Sequence, residues 1–246
     1  MNQYEKFYQL HHQQKPLMIA NAWNSRSAQL IEEAGFEAIG TSSGAISSSL
    51  GYEDGEKIPF NELLYIVKRI QATIKVPLTV DMERGYTDDL QILTDNIQKL
   101  IDIGASGINI EDAQGEDIYL RKLESIKNYL VKTNQQLFIN ARTDAFLQKL
   151  PSPLETTLRR SKLYQDAGAD GLFVTAVPDA GVIEEITRAV TIPVNIVSTP
   201  KLPVETLVKH GVKRISMAVL LYRATYNQLE RIIREVRAEN SFAPLF

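Results

Sequence analysis

Four short apolar segments end in polar or charged residues spaced two apart. PLTVDMERGY ends in Asp81 and Glu83, SGINIEDAQG in Asn109 and Glu111, LFINARTDAF in Asn140 and Arg142, and PLMIANAWNS in Asn21 and Trp23. On a strand, residues i and i+2 point to one side, so each pair shares a face where its strand runs out. Burying several carboxylates near one arginine is costly unless something compensates them. A divalent cation together with an acidic substrate would do so. Asp81, Glu83 and Glu111 offer oxygen ligands only, a set that suits Mg2+, or Mn2+, rather than zinc. Arg142 can hold a carboxylate by a two-pronged contact or stabilise an enolate oxygen. Ser42, Ser43 and Gly44 add hydroxyls and backbone N–H groups for an anionic end of that substrate, completing an oxyanion site.

The elements that must position these groups are legible in the patterning. Short runs rich in Val, Ile and Leu (LMIANA, AIGTSS, PLTVDM, GINIED, LFINAR, GLFVTA, PVNIVS, RISMAV) alternate with longer segments of helical period. In one of these, Leu90, Leu93, Ile97, Leu100 and Ile101 form a single apolar stripe; Pro153 to Gly168 and Tyr222 to Ala238 read the same way. Before the even strands stand EEAGFEAIG, IDIGASGIN, YQDAGADGL and VKHGVKRIS, each a helix end with a glycine suited to the left-handed turn after it. Proline opens three of the four odd strands, where no ladder bond is lost. About eight strands alternating with about eight helices give a single (β/α)8 TIM barrel over residues 1–246. An open doubly wound sheet shares the alternation, but there is no GxGxxG turn, and the polar strand ends are spread around the chain rather than gathered at one switch point. Strand ends in a barrel face one mouth. Alternation therefore sends Asn21, Trp23, Ser42, Asp81, Glu83, Asn109, Glu111, Asn140, Arg142 and Asn195 there. Ser42 or Asn195 alone could equally cap a helix or form a turn. Asp112 and Asp144, placed at the opposite parity, read as structural. The longest connection, GTSSGAISSSLGYEDGEKIP, is rich in Gly and Ser and lies on the functional side, as a lid or binding loop would.

At 246 residues the chain suits one barrel better than two ordinary domains. A net charge of −3 gives no electrostatic reason to bind nucleic acid or an anionic membrane. No apolar run approaches the roughly 20 residues that span a bilayer. Residues 1–15 read as a polar helix or arm without the apolar core of a signal peptide. There is no cysteine, so thiolate chemistry is excluded and a reducing, cytoplasmic setting fits. His11, His12 and His210 lack metal-site spacing and read as exposed or packing residues. The tail 237–246 carries Phe242, Leu245 and Phe246, for which a partner subunit is a fitting dock.

The runs NAWNSRSAQLIEEAGFEAIGTSSGAISSSLGYED, PLTVDMERGY, GINIEDAQ and FINARTDAF together resemble the isocitrate lyase / phosphoenolpyruvate mutase superfamily, with similarity from about Pro16 to Ala224. The order VDxExGY, INIED, NARTD is specific; any one alone is weak. The resemblance implies a Mg2+-dependent barrel, a homo-oligomer (dimer or tetramer) whose last helix is often exchanged between subunits, and a small 2-oxo or 2-hydroxy acid passing through a pyruvate enolate. It implies that Ser42 and Ser43 bind the substrate carboxylate, that Asp81 ligates the metal directly, and that Asp54, Glu83 and Glu111 hold its waters. Arg142 falls on the enolate side, and Asp54 on a mobile gating loop with Tyr52 as a neighbouring acid–base candidate. Trp23, Gly44, Asn109, Asn140 and Asn195 complete the expected substrate site.

Two departures bear on the reaction. The lyase branch has a K-[KR]-C-G-H loop after the fourth strand; here the stretch is AQGEDIYLRKL, without Cys or His. The mutase branch has a Lys and an Asn in that loop and a histidine where this chain has Thr175. The expectation is therefore C–C cleavage or decarboxylation, as in an oxaloacetate decarboxylase-like reaction. P–C cleavage or rearrangement of a phosphonate and a silent 2-oxo-acid-binding protein are the alternatives.

Overall fold

The computed structural model describes all 246 residues. Eight parallel strands close on themselves in sequence order: β1 (Leu17–Ala22), β2 (Ile39–Thr41), β3 (Leu78–Asp81), β4 (Gly107–Glu111), β5 (Phe138–Thr143), β6 (Gly171–Val174), β7 (Val194–Val197) and β8 (Arg214–Ser216). Closure is made by β1 against β8, with Leu17 beside Arg214 and Ile19 beside Ser216. The expected TIM barrel is present.

Ten helices accompany the strands: α1 (Gln3–His12), α2 (Ser25–Glu33), α3 (Ser43–Ser49), α4 (Phe60–Gln71), α5 (Leu90–Asp102), α6 (Glu116–Thr133), α7 (Pro153–Asp166), α8 (Ala180–Ala189), α9 (Val204–Lys209) and α10 (Leu220–Glu239). Their caps follow the sequence. Asn24 accepts from Ser27 N–H, and Asp89 from Gln91 and Ile92 N–H, satisfying donors that a helix start leaves free. The outward faces of the strands and the apolar stripes of the helices merge into one buried core. In α5, Leu93, Ile97 and Leu100 are buried as the stripe requires, while Leu90 is exposed.

Three features go beyond the sequence reading. The Gly/Ser-rich connection after β2 is not all loop: Ser42 caps the short helix α3 through Ala45 N–H. The N-terminal arm is a stopper. Phe7 and Leu10 pack with Leu17, Ile19, Ala38 and Phe138 at the strand N-termini, and His11 stacks on Phe138 with ring centroids 4.2 Å apart. Burial, with Arg214 nearby, pushes the His11 pKa down to about 3, so this histidine packs as the neutral ring. Finally, α10 lies largely off the core: of its 20 residues only Tyr222 is buried.

Inside the barrel, side chains from successive strands stack in layers. Gly40, Gly107 and Gly171 occupy inward positions where a Cβ would meet Asn21, the Phe138 carbonyl oxygen, or Asn140 at 2.8–3.0 Å. The room they leave is filled by a polar middle layer. Asn140 Nδ2 donates to Asn109 Oδ1 (2.9 Å) and Asn195 Oδ1 (3.1 Å), and Asn195 Nδ2 donates to Ser216 Oγ (3.1 Å). Arg214, 1% exposed, donates to Asn109 Oδ1 (3.1 Å) and pairs with no carboxylate; burial lowers its pKa to about 9.

Candidate active site

Above this layer, at the C-terminal ends of the strands, lies a cavity of about 790 Å³. Its floor is formed by Asn21, Ser42, Ser43, Gly44, Asp81 and Arg142. Phe173, Thr175, Val197, Ser216 and Leu147 form one wall, and the start of α10, with Tyr222 and Arg223, forms another. The connection carrying Tyr52, Glu53 and Asp54 covers the remaining side.

Strand register explains the inner set. Asp81, the last residue of β3, lies beside Asn109, and Glu111 ends β4 beside Arg142. Ser43 donates its hydroxyl to Asp81 Oδ2 (2.9 Å). Arg142 Nε and Nη2 donate to the two oxygens of Asp144 (2.8 and 2.9 Å), Nη1 lies 2.6 Å from Glu111 Oε2, and the guanidinium carbon sits 5.7 Å from the centroid of Phe173. A guanidinium has five donors. Asp144 takes two and Glu111 a third, so two remain for a ligand in the cavity that Arg142 lines. Thr175 donates to Asp144 Oδ1 (2.7 Å) and fixes that clamp from behind.

The electrostatics are one-sided. Burial raises the Asp81 pKa against the opposing pull of Arg142 and Ser43. Burial, then the charges of Asp81 and Asp54, push Glu83 up to about 7. Burial pushes Glu111 up to about 8, with Arg142 opposing and Asp144, Asp81 and Glu83 reinforcing the rise. Against the cost of its own burial, Glu111 and Asp144 raise the Arg142 pKa. Five neighbouring acids, Asp54, Asp81, Glu83, Glu111 and Asp144, thus gather about Arg142, and the set is short of positive charge. Asn21 Oδ1, on the cavity floor, has no partner in the protein.

Not every expected residue reaches the cavity. Trp23 does not: β1 stops at Ala22, so the alternation ends one residue early. Its ring packs edge-on behind Tyr222 (5.3 Å) and lines an apolar groove with Leu30, Ile31 and Leu221. Asn109, Asn140 and Asn195 face inward but one layer too deep, and their amides bond to one another. Glu83 lies past the end of β3 in a left-handed turn (φ 48°), where Tyr86 donates to it (3.0 Å). No three His, Asp or Glu side chains are grouped closely enough to cage an ion together. Asp81, Glu83 and Glu111 are therefore not a direct three-acid cage; Asp81 alone of them lines the cavity. Tyr52 lines it too, but its hydroxyl donates to Glu62 (3.0 Å), which raises its pKa and makes it a poorer acid.

The sequence reading also missed residues. Asp144 stands two positions after Arg142, on its side rather than the opposite one, and the spacing alone could have shown this. Phe173 in β6 and Thr175, one residue past its end, both line the cavity, and their spacing of two made them equally findable. Ser48, Tyr222 and Arg223 come from helices that no strand pattern predicts. Asp112 is structural: it accepts from Arg160 and Tyr164 (both 2.7 Å) and from the Asp144 N–H (2.9 Å) behind the site.

A closed parallel barrel with buried acids and a clamped arginine at its C-terminal rim defines an α/β-barrel enzyme. Residues 7–237 match the model of the phosphoenolpyruvate phosphomutase family, and the chain belongs to that family, within the isocitrate lyase / phosphoenolpyruvate mutase superfamily. Among its relatives, the uncharacterized protein Rv1998c of Mycobacterium tuberculosis strain H37Rv is 35% identical over 219 residues, 89% of this chain and 83% of that one. An oxaloacetate decarboxylase of Rhodopseudomonas palustris strain BisB18 is 32% identical over 188 residues, 71% of this chain and 64% of that one. The crystal structure of a phosphonopyruvate hydrolase complexed with oxalate and Mg2+ superposes with a TM-score of 0.87 at 19% identity, covering 99% of this chain and 89% of that one, and shows the same fold.

Proposed function

We propose that this enzyme is a Mg2+-dependent lyase that cleaves a C–C bond of a small 2-oxo or 2-hydroxy carboxylate, in the manner of an oxaloacetate decarboxylase. The observation that carries the reading is the cation deficit at the mouth: Asp54, Asp81, Glu83, Glu111 and Asp144 gather about one arginine beside a cavity. An oxygen-only donor set in which Asp81, Glu83 and Glu111 are held above their usual range fits a hard divalent cation. Asp81 would hold it directly, with Asp54, Glu83 and Glu111 around it. When bound, Mg2+ supplies Lewis-acid polarisation of a substrate oxygen.

The chain's own residues do the rest. Ser42, Ser43 and Gly44 bind the substrate carboxylate at the cavity floor. Arg142, held rigid by Asp144 and Glu111, points its remaining donors at the C2 oxygen, where negative charge grows as the bond breaks. In a decarboxylation C4 leaves as CO2, the electrons of the C3–C4 bond pass to that oxygen, and the resulting enolate takes a proton from solvent water at C3. No proton need be removed from carbon beforehand, which suits a cavity without Cys or His. Leu147, Phe173, Val197 and Val219 offer an apolar wall to the departing side. A cytoplasmic setting and a homo-oligomer belong to the same reading, with the exposed face of α10 covered by a second copy.

The test is a panel of oxaloacetate, alkyl-malates, 2-methylisocitrate and phosphonopyruvate with Mg2+ or EDTA, following pyruvate, CO2 and phosphate. Mg2+-dependent C–C cleavage of a 2-oxo or 2-hydroxy acid is expected. Phosphate release from phosphonopyruvate would move the assignment to P–C cleavage. Mg2+-dependent oxalate binding without turnover of the panel would make the protein a silent binder.

A further inference from the structure

The connection over the cavity is tied to the β3–α5 connection through the side chain of one lid residue with no part in the chemistry above. Asp54 carries the only lid carboxylate that the proposed reaction uses, yet that carboxylate makes no hydrogen bond or ion pair within the protein. It rests against Gly44, where a Cβ would stand 2.9 Å from Oδ2. Nothing in the Asp54 side chain therefore fixes the lid. Two residues on, Glu56 does. It sits in the left-handed region (φ 62°), an unfavourable conformation for a residue with a Cβ. Its Oε1 accepts from the backbone N–H groups of Arg84 (3.0 Å) and Tyr86 (2.7 Å), and its Oε2 lies 3.0 Å from Arg84 Nη2. Arg84 also donates to the Gly55 carbonyl (3.4 Å).

The far side of this junction is rigid. Lys122, 2% exposed, donates to the Arg84 carbonyl (2.8 Å), Asp88 (2.8 Å) and Gln114 (2.9 Å), tying the β3–α5 connection to α6 and to the connection before it. Tyr86, whose N–H binds Glu56, donates its hydroxyl to Glu83. A continuous path of hydrogen bonds thus joins the lid to an acid of the site. We infer that Glu56 is a positioning residue: it latches the lid to the Lys122-anchored connection and so holds Asp54 over the cavity. Resting on the proposed lyase reading, this makes the correct seating of Asp54 a property of Glu56 and Arg84.

Two readouts test the latch. Lys57 is exposed in the lid and offers trypsin a single nick there. With rates normalised to those of free peptides of each sequence, Glu56→Ala is expected to be cut at Lys57 at least 10-fold faster than the parent protein. Unchanged nicking overturns the latch. The second readout is a double-mutant cycle with Asp54→Asn. If Glu56 acts through Asp54, its substitution costs about 10-fold in kcat/KM when Asp54 is present and little when it is absent. Additive losses overturn the positioning role. If no acid of the panel turns over, the cycle is read on calorimetric oxalate affinity with Mg2+, so failure of the lyase reading stays separate from failure of the latch. Should Glu56→Ala lose the circular dichroism of the barrel, Glu56→Gln replaces it. That variant keeps an acceptor for the two N–H groups but loses the ion pair, and faster nicking, about 3-fold, is expected.

Discussion

Arg142 is useful because it is not free. A solvated arginine has many rotamers, and ordering it at the moment of reaction would lose part of what its charge gains. Asp144 removes that freedom with two parallel bonds, and Thr175 holds Asp144. Asp144→Asn keeps the shape but forfeits the charge and one acceptor. It is expected to lower kcat/KM about 10- to 100-fold, about 1.4 to 2.7 kcal/mol, with far-UV circular dichroism unchanged. Wild-type kinetics would show that the clamp does not orient the arginine. The carboxylates make a second prediction, in stability. Glu83 and Glu111 have folded-state pKa values raised to about 7 and about 8 from an ordinary 4.5. Between those limits the folded chain binds more protons than the unfolded one, so stability falls as pH rises from about 4.5 to about 8 and then levels. A cation among the acids removes the repulsion. The rise in Tm on adding Mg2+ should therefore be small at pH 5.5 and larger at pH 8.5, and Asp81→Asn should flatten it. An equal Mg2+ response at both pH values would count against these acids as the cation site.

At the scale of elements, the two ends of the barrel separate stability from activity. Phe7 of α1 is fully buried, edge-on to Phe138 at 5.3 Å and beneath Arg214, at the end remote from the cavity. Phe7→Ala should lower unfolding stability by about 3 to 5 kcal/mol, read from urea denaturation, while kcat per folded molecule is retained. A parallel loss of kcat would mean that the stopper is coupled to the mouth through the Arg214–Asn109–Asn140 layer. The sequence showed this division only in part. Alternation sent Asp81 and Arg142 to the cavity because each lies within its strand, where the period of two holds; Glu111 follows the same period but meets Arg142 rather than the cavity. It failed at Trp23, one residue beyond the end of β1. It gave the side but not the depth of Asn109, Asn140 and Asn195, because parity contains no height along the barrel axis. Arg214 was invisible: KRISM reads as basic residues at a strand start, and only the pairing of β8 with β1 and β7 turns that arginine inward. The latch at Glu56 was equally hidden, because it joins connections 28 residues apart through backbone N–H groups.

For the whole molecule, the unresolved physical problem is α10. Tyr226, Leu229 and Ile233 repeat at helical spacing and are 41%, 45% and 58% exposed, and the tail adds Phe242, Leu245 and Phe246. An apolar face of this extent is a liability in an isolated chain. The groove lined by Trp23, Leu30, Ile31, Phe36 and Leu221 lies beside the root of the helix. The proposed homo-oligomer disposes of both surfaces at once, because a two-fold contact uses the same patch twice. Multi-angle light scattering should then return two or four times the chain mass. Leu229→Asp with Ile233→Asp should return a single chain: burying two such side chains is worth about 3 to 6 kcal/mol, about two to four orders of magnitude in Kd. The same helix begins with Tyr222 and Arg223 in the cavity wall, and Tyr222 is anchored to Ser48 (3.0 Å) and Trp23. Dissociation should therefore also lower activity, although both substitutions lie outside the cavity. A wild-type chain that is monomeric at micromolar concentration would remove the oligomer from the reading and leave the face of α10 without a purpose.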